Sequence, residues 1–392
     1  MVRATTVRLR RRRKGAVAPL MGFLLVFIVG LLAMSVDLGR TAVVRAQLQN
    51  AADASAMAGA TALGTDNLIR ANPSQSTDIA SARSLAQKFA QANGYDLNGT
   101  MRVVLDPNND VTVGSLGTPG NLALALSTTA SPFNSVQVQA KVDGAHGGLL
   151  RFLFAPVLGQ NSTAVQATAT ATVQLFEVSS LQALQGAYGP TLPITMSYTD
   201  WYQMVTKQTG RDNYAYDPAT GVTAGSDGLQ EQQLYPGSNV SSSNNGLIQF
   251  GTGSRSNAVL RSQVVNGPTY NEMIAQWPPS GAPPWGANHQ FTIGADPGWR
   301  ATTFSDLATV AASGRARIIP INDGTPPGNG ANGTYTIVAL APVRVVFSQK
   351  GGKSSGYALV QPAVINDPTV IPSTTKVVTS GQGGVPVVRL SR

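Results

Sequence analysis

The chain is 392 residues long with no cysteine, and only 12% of its residues are charged, about half the share of an ordinary soluble domain. That excludes disulfides, cysteine-based metal sites and cysteine nucleophiles, while 41 Gly and 24 Pro point to a turn-rich, β-rich exterior. Most of the +9 formal charge sits on Arg3, Arg8, Arg10, Arg11, Arg12, Arg13 and Lys14, so the basic balance gives the folded part no nucleic-acid face.

Residues 1–14 read as a basic cytoplasmic tail and 15–36 as a transmembrane helix. Ala16 to Val36 carries no charge, and at 1.5 Å per residue it spans about 31 Å, matching a bilayer core of about 30 Å. Pro19 falls in the first turn, where a missing N–H costs little. Arg10, Arg11, Arg12, Arg13 and Lys14 abut the start of this segment, so the positive-inside rule leaves the N-terminus cytoplasmic and exports the rest. A cleaved signal is the competing reading, because Ala33-Met34-Ser35 has the form of a cleavage site. The apolar run exceeds the usual signal core, which favours an anchor.

Residues 37–64 continue as a helical rod, rich in alanine, the strongest helix former, and closed by Gly64. Ala51, Ser55 and Gly59 share one face, and Ala52, Ala56 and Ala60 the next. Such small-xxx-small spacing lets helices pack closely. The partner is either a neighbouring helix or the chain's own globular part.

Residues 65–178 read as an α+β, pilin-like head. A helix is expected over Asp78–Ala92, then strands at Met101–Leu105, Val111–Val113, Ser135–Val142 and Ala164–Phe176. Their alternation of apolar and polar residues predicts an antiparallel sheet with one buried face. Residues 179–190 read as a linker and 191–368 as a second, β-rich and loop-rich domain. In it, Trp201–Lys207, capped by Asp200, and Phe304–Ala312 are helix candidates. Ala316–Ile321, Thr334–Ser348 and Tyr357–Val364 are strand candidates, the last two forming a hairpin. Residues 369–392 read as a loose tail.

No acid, base and nucleophile stand together, so catalytic, cofactor and metal sites are all expected to be absent. His146 and His289 are expected to be exposed polar residues. Gly352-Lys-Ser-Ser-Gly356 matches GxSxG but lies between two strands, where a nucleophile elbow cannot form. Asp106-Pro-Asn-Asn-Asp110 resembles the start of a calcium loop and lacks its Gly and bidentate Glu, so it reads as a turn. Trp201, Tyr202, Tyr214, Tyr216, Trp277, Trp285 and Trp299 either fill the loop-rich domain or form a recognition surface, for instance for surface polysaccharide.

The stretch Arg10 to Leu63 resembles the N-terminal region of TadE/TadG-like proteins of Flp, or tight-adherence, pilus assembly. The features are the basic run ending in Gly15-Ala16, the apolar segment ending in Asp37, and Gln47-Leu-Gln-Asn-Ala-Ala-Asp-Ala-Ser-Ala56. Arg151 to Gly159 and Val165 to Ala171 look like the end of the TadG-type domain. Asp200-Trp201, Tyr216-Asp217-Pro218 and Ile318 to Ile321 look like longer TadG relatives. The resemblance implies a non-enzymatic assembly component or minor pilin-like protein in a bacterial inner membrane, with its bulk periplasmic or extracellular. Its partners would be the lipid bilayer, pilin and other assembly or secretion subunits. It also implies prepilin-type cleavage between Gly15 and Ala16, although Leu20 stands where the family pattern wants Glu. Asp53-Ala-Ser55-Ala-Met57 lacks the second Ser of a DxSxS metal motif, so no von Willebrand A-like domain is expected. The alternative function is an anchored extracytoplasmic binding module or adhesin.

Overall fold

The computed structural model describes residues 17–94, 102–117, 125–234, 246–248, 250–251, 256–286, 288–296, 300–327, 333–351, 356–378 and 381–391. Helix α1 (Val17–Thr61) is continuous over 45 residues, about 67 Å at 1.5 Å per residue. Its last carbonyls are taken up by short-range N–H groups of Ala62, Leu63 and Gly64, the tightened last turn expected of a helix end. Helix α2 (Ser76–Ala92) follows.

Strands β1 (Val111–Gly114), β2 (Ser135–Val142), β3 (Leu150–Arg151), β4 (Ser162–Thr163) and β5 (Val165–Leu181) come next. β1, β2 and β5 form an antiparallel sheet, with Val138 facing Val111 on one side and Ala169 on the other. Period two decides which face is inside: Val165, Ala167, Ala169, Ala171 and Val173 of β5 are buried while Gln166 and Thr168 are exposed. The buried alanines meet Leu48, Ala51, Ala52, Ala56 and Ala60 of α1 and Ala82, Ala86 and Ala90 of α2 in one core. Small side chains on all three surfaces let helix and sheet backbones approach closely.

The second body contains β6 (Ile194–Ser197), α3 (Tyr198–Tyr202), β7 (Tyr214–Asp217), β8 (Gly221–Ala224), β9 (Gln232–Leu234) and β10 (Gly246–Ile248). It continues with α4 (Asn257–Val265), α5 (Tyr270–Gln276), β11 (Phe291–Asp296), α6 (Ala301–Ser313), β12 (Ala316–Asn322), β13 (Thr334–Gln349) and β14 (Tyr357–Pro362). The main sheet runs β11-β10-β6-β12-β13-β14-β9, and β11 also pairs with β13. Strands β6, β10, β11, β13 and β12 therefore close into a ring. Arg317 of β12 is buried and donates to the carbonyls of Val264, Val265 and Asn266 at the end of α4. Desolvation lowers its guanidinium pKa to about 10.

Four expectations are corrected. Residues 369–392 are not a loose tail: β15 (Val370–Val377) and β16 (Val385–Leu390) both pair with β5. Val377 and Val385 flank Phe176 from opposite edges, while β2 and β16 flank Ala171. The tail is strand because Val370 and Val385 are buried in a core shared with Val178 and Leu181. The linker at 179–190 starts later than expected, since β5 itself runs to Leu181. Of Met101–Leu105, the described residues make only an isolated bridge at Arg102, although Val103 and Leu105 are buried. The helix expected from Trp201 begins at Tyr198, because the Ser197 hydroxyl accepts from the Asp200 N–H and caps it.

Candidate functional site along the N-terminal helix

Helix α1 has two halves of different chemistry. Between Val17 and Val36 its large apolar side chains are exposed, with Phe23 at 80% and Val26 at 72%. From Val44 onward the face toward the head is buried, with Leu48 fully enclosed. An apolar stretch of this length, left uncovered by the described residues, is what a bilayer core would take up.

Asp37 sits where the two halves meet, and it is itself buried. Its carboxylate accepts from the backbone N–H groups of Leu153 (2.8 Å), Phe154 (3.0 Å) and Ala155 (2.8 Å). One turn on, the Arg40 guanidinium donates to the Arg151 carbonyl at 3.0 Å. These bonds fasten a loop more than 110 residues away to the point where the apolar segment ends. Charged acceptors of several backbone N–H groups make strong hydrogen bonds.

The six small residues are enclosed by the chain's own head. Ala51, Ala52, Ser55, Ala56 and Ala60 are fully buried, and a Cβ on Gly59 would stand 3.0 Å from the Ala82 carbonyl and 3.1 Å from Val136. They pack α1 on α2 and on the sheet, the second of the two partners considered for this face. Gly15, Ala16 and the run Arg10 to Lys14 lie outside the described residues.

His146 is not the free surface residue expected. Its ring nitrogens reach Asp110 at 2.9 Å and Asp143 at 2.6 Å. Burial by itself would lower the imidazole pKa, but the hydrogen bond to Asp143 and the Asp110 charge outweigh it and raise the pKa. Asp110 also pairs with Lys141 at 2.7 Å. His289 stacks on Trp285 with ring centroids 4.1 Å apart. Residues 107–110 form the expected turn, closed by an Asp110 N–H to Asp106 carbonyl bond. Among the described residues no group of three or more His, Asp or Glu side chains is arranged to hold a metal. Gly352 to Ser355 and Trp299 lie outside the described residues. Trp277 is buried edge-on against Phe250 and Phe291, Trp201 and Trp285 are half-buried in the two cores of the second body, and Tyr216 lies beneath a guanidinium. Most of the predicted aromatic set therefore fills the second body.

A long helix, exposed and apolar at one end and clasped by an α+β head at the other, is the arrangement expected from the apolar length, alanine content and strand alternation of the sequence. Two family models match it: Tad, described as Flp pilus-assembly TadE/G-like, over residues 15–62, and Tad_C, described as Tad-like Flp pilus-assembly, over residues 58–171. Residues 15–171 are thus similar to Tad-type Flp pilus-assembly families, and the two matches together span less than half of the chain. No curated protein and no solved structure matches the chain. Both matched families are pilus-assembly components rather than enzyme families.

The Tad region ends at residue 171, in the middle of β5. Its sheet is completed from beyond that limit by β16, which pairs with Ala171 to Phe176. A buried charge pair joins it to the second body as well. The Arg344 guanidinium donates through Nε (3.2 Å) and Nη2 (2.8 Å) to Asp66 Oδ2, donates again to the Gly314 carbonyl, and stacks 3.4 Å over the Tyr216 ring. Asp66 accepts a further bond from the Val364 N–H at 2.7 Å. Beside it, Arg70 donates to Asp227 at 2.8 Å and to the Tyr216 carbonyl at 2.6 Å. Gly314 takes φ +62° to end α6 there, and a Cβ on it would lie 2.6 Å from the Tyr216 ring.

Proposed function

We propose that this chain is a non-enzymatic, membrane-anchored assembly component, or minor pilin-like protein, of a Flp pilus system. The single observation that carries this is the abrupt change along α1, from a bilayer-length apolar stretch to a face buried in the Tad head. The first half is held in the inner membrane with the basic tail on the cytoplasmic side, while head and second body project outward. Because the small-residue face is already buried, contacts to pilin or secretion subunits would use the membrane segment or the outer surface of the head. The test is complementation of a deletion strain. Wild type should restore piliation and remain with membranes, whereas Leu24→Arg with Val26→Arg should leave the membrane fraction and fail to restore pili. Normal piliation in the deletion strain itself would sink the reading.

A further inference from the structure

Outside α1, the exposed large apolar side chains among the described residues include the stacked pair Tyr198 and Tyr202 and one larger group. Between Leu149 and Gly159 the chain presents Leu149, Leu153, Phe154 and Val157 to the outside, Val157 at 90% exposure. This segment is built rather than loose. β3 pairs with β4 beneath it, the Phe152 N–H donates to the Asn161 carbonyl and the Gln160 N–H to the Ala155 carbonyl. Its apex is a short helical turn, Ala155–Leu158, closed by Gly159 in the left-handed region. The N–H groups at the start of that turn are the ones held by Asp37.

A fixed cluster of uncovered apolar side chains marks an interaction surface. Its occupant follows from continuity. Asp37 is the residue immediately after the apolar stretch, and Met34, Val36 and Leu38 around it are exposed as well. The loop therefore shares the depth at which α1 would leave the hydrocarbon. Apolar side chains flanked by arginine are suited to that boundary, where they sink about 5–10 Å between headgroups and acyl chains. Arg151 is exposed on the loop itself, placed to meet anionic headgroups.

We propose that Leu149–Gly159 is a second membrane contact, a wedge seated in the outer-facing interface of the bilayer beside α1, held there by Asp37 and Arg40. It would fix the tilt and rotation of the head on the membrane, which a single helix leaves free. The proposal rests on the anchoring of α1. The absence of cysteine allows both to be read separately in the full chain. Leu25→Cys, Val157→Cys and Ala312→Cys would each carry an environment-sensitive fluorophore, in vesicles of phosphatidylcholine and phosphatidylglycerol containing spin-labelled lipid. Val157 is almost wholly exposed, so the change leaves the fold intact. Leu25 should be quenched best by a deep spin label, Val157 severalfold more than Ala312 by a shallow one, and Ala312 hardly at all. Quenching at Leu25 with Val157 no different from Ala312 would overturn the wedge and leave the anchor standing. A blue-shifted Val157 label that spin-labelled lipid does not quench would show the loop covered by protein, and would also overturn the wedge. An unquenched Leu25 would overturn both readings.

Discussion

At Gly59, α1 lies close against both α2 and β2. Replacing it with Leu forces side-chain atoms into space held by the Ala82 carbonyl and Val136, and should destabilise the head by about 1–3 kcal/mol, measured by thermal melting of the detergent-solubilised chain. At the domain junction, Arg344→Met removes one member of a buried pair and strands the Asp66 carboxylate. Loss of one partner should cost about 3–5 kcal/mol, and adding Asp66→Asn should return part of it. His146 gives a pH-dependent prediction. Its pKa is raised in the folded chain, so the folded state holds the proton more tightly than the unfolded one. The stabilisation is present below the ordinary imidazole value and is lost as pH rises through the folded value. His146→Ala should therefore lower the melting temperature more at pH 5.5 than at pH 8.5. Equal losses at both pH values would contradict the assigned pairing.

At the scale of elements, the strongly periodic segments were legible in the sequence. Alternation placed β2 at Ser135–Val142, the hairpin of β13 and β14 follows its turn residues, and alanine density placed the lower half of α1. What escaped was pairing over long separations. Nothing local distinguishes Val370–Val377 and Val385–Leu390 from a polar tail with a few valines; they become strands only because both edges of β5 beyond the Tad match are open to them. The Asp37 socket was illegible for the same reason, since its three donors lie in a loop more than 110 residues away. Asp66 with Arg344 is another such case. The small-residue stripe shows the reverse limit: spacing marks close packing but not whose surface is packed. Ending the chain after Pro368 should therefore do more than trim a tail. Val370 and Val385 would lose their burial, worth about 1.5–3 kcal/mol for each valine, and the edges of β5 would be left unpaired. Reduced melting temperature together with protease sensitivity within residues 165–181 is expected, and an unchanged melt would contradict the strand assignment.

For the whole molecule, the decisive feature is that one helix belongs to two surroundings. Its lower half is core to the Tad head, so the head cannot be rotated or detached from the helix without unfolding. Its upper half is covered by none of the described residues. Asp37, the Arg344 pair and β16 tie helix, head and second body together, so orientation set at the membrane would be carried through to the outer body. All of this depends on the apolar segment being retained in the working protein. The most direct measurement is the intact mass and N-terminal sequence of the protein extracted from its native membranes. A start at Met1 or at Ala16 keeps residues 17–36 and agrees with an anchored head. A start at Val36 would mean that the segment is a removed signal, and would contradict the account.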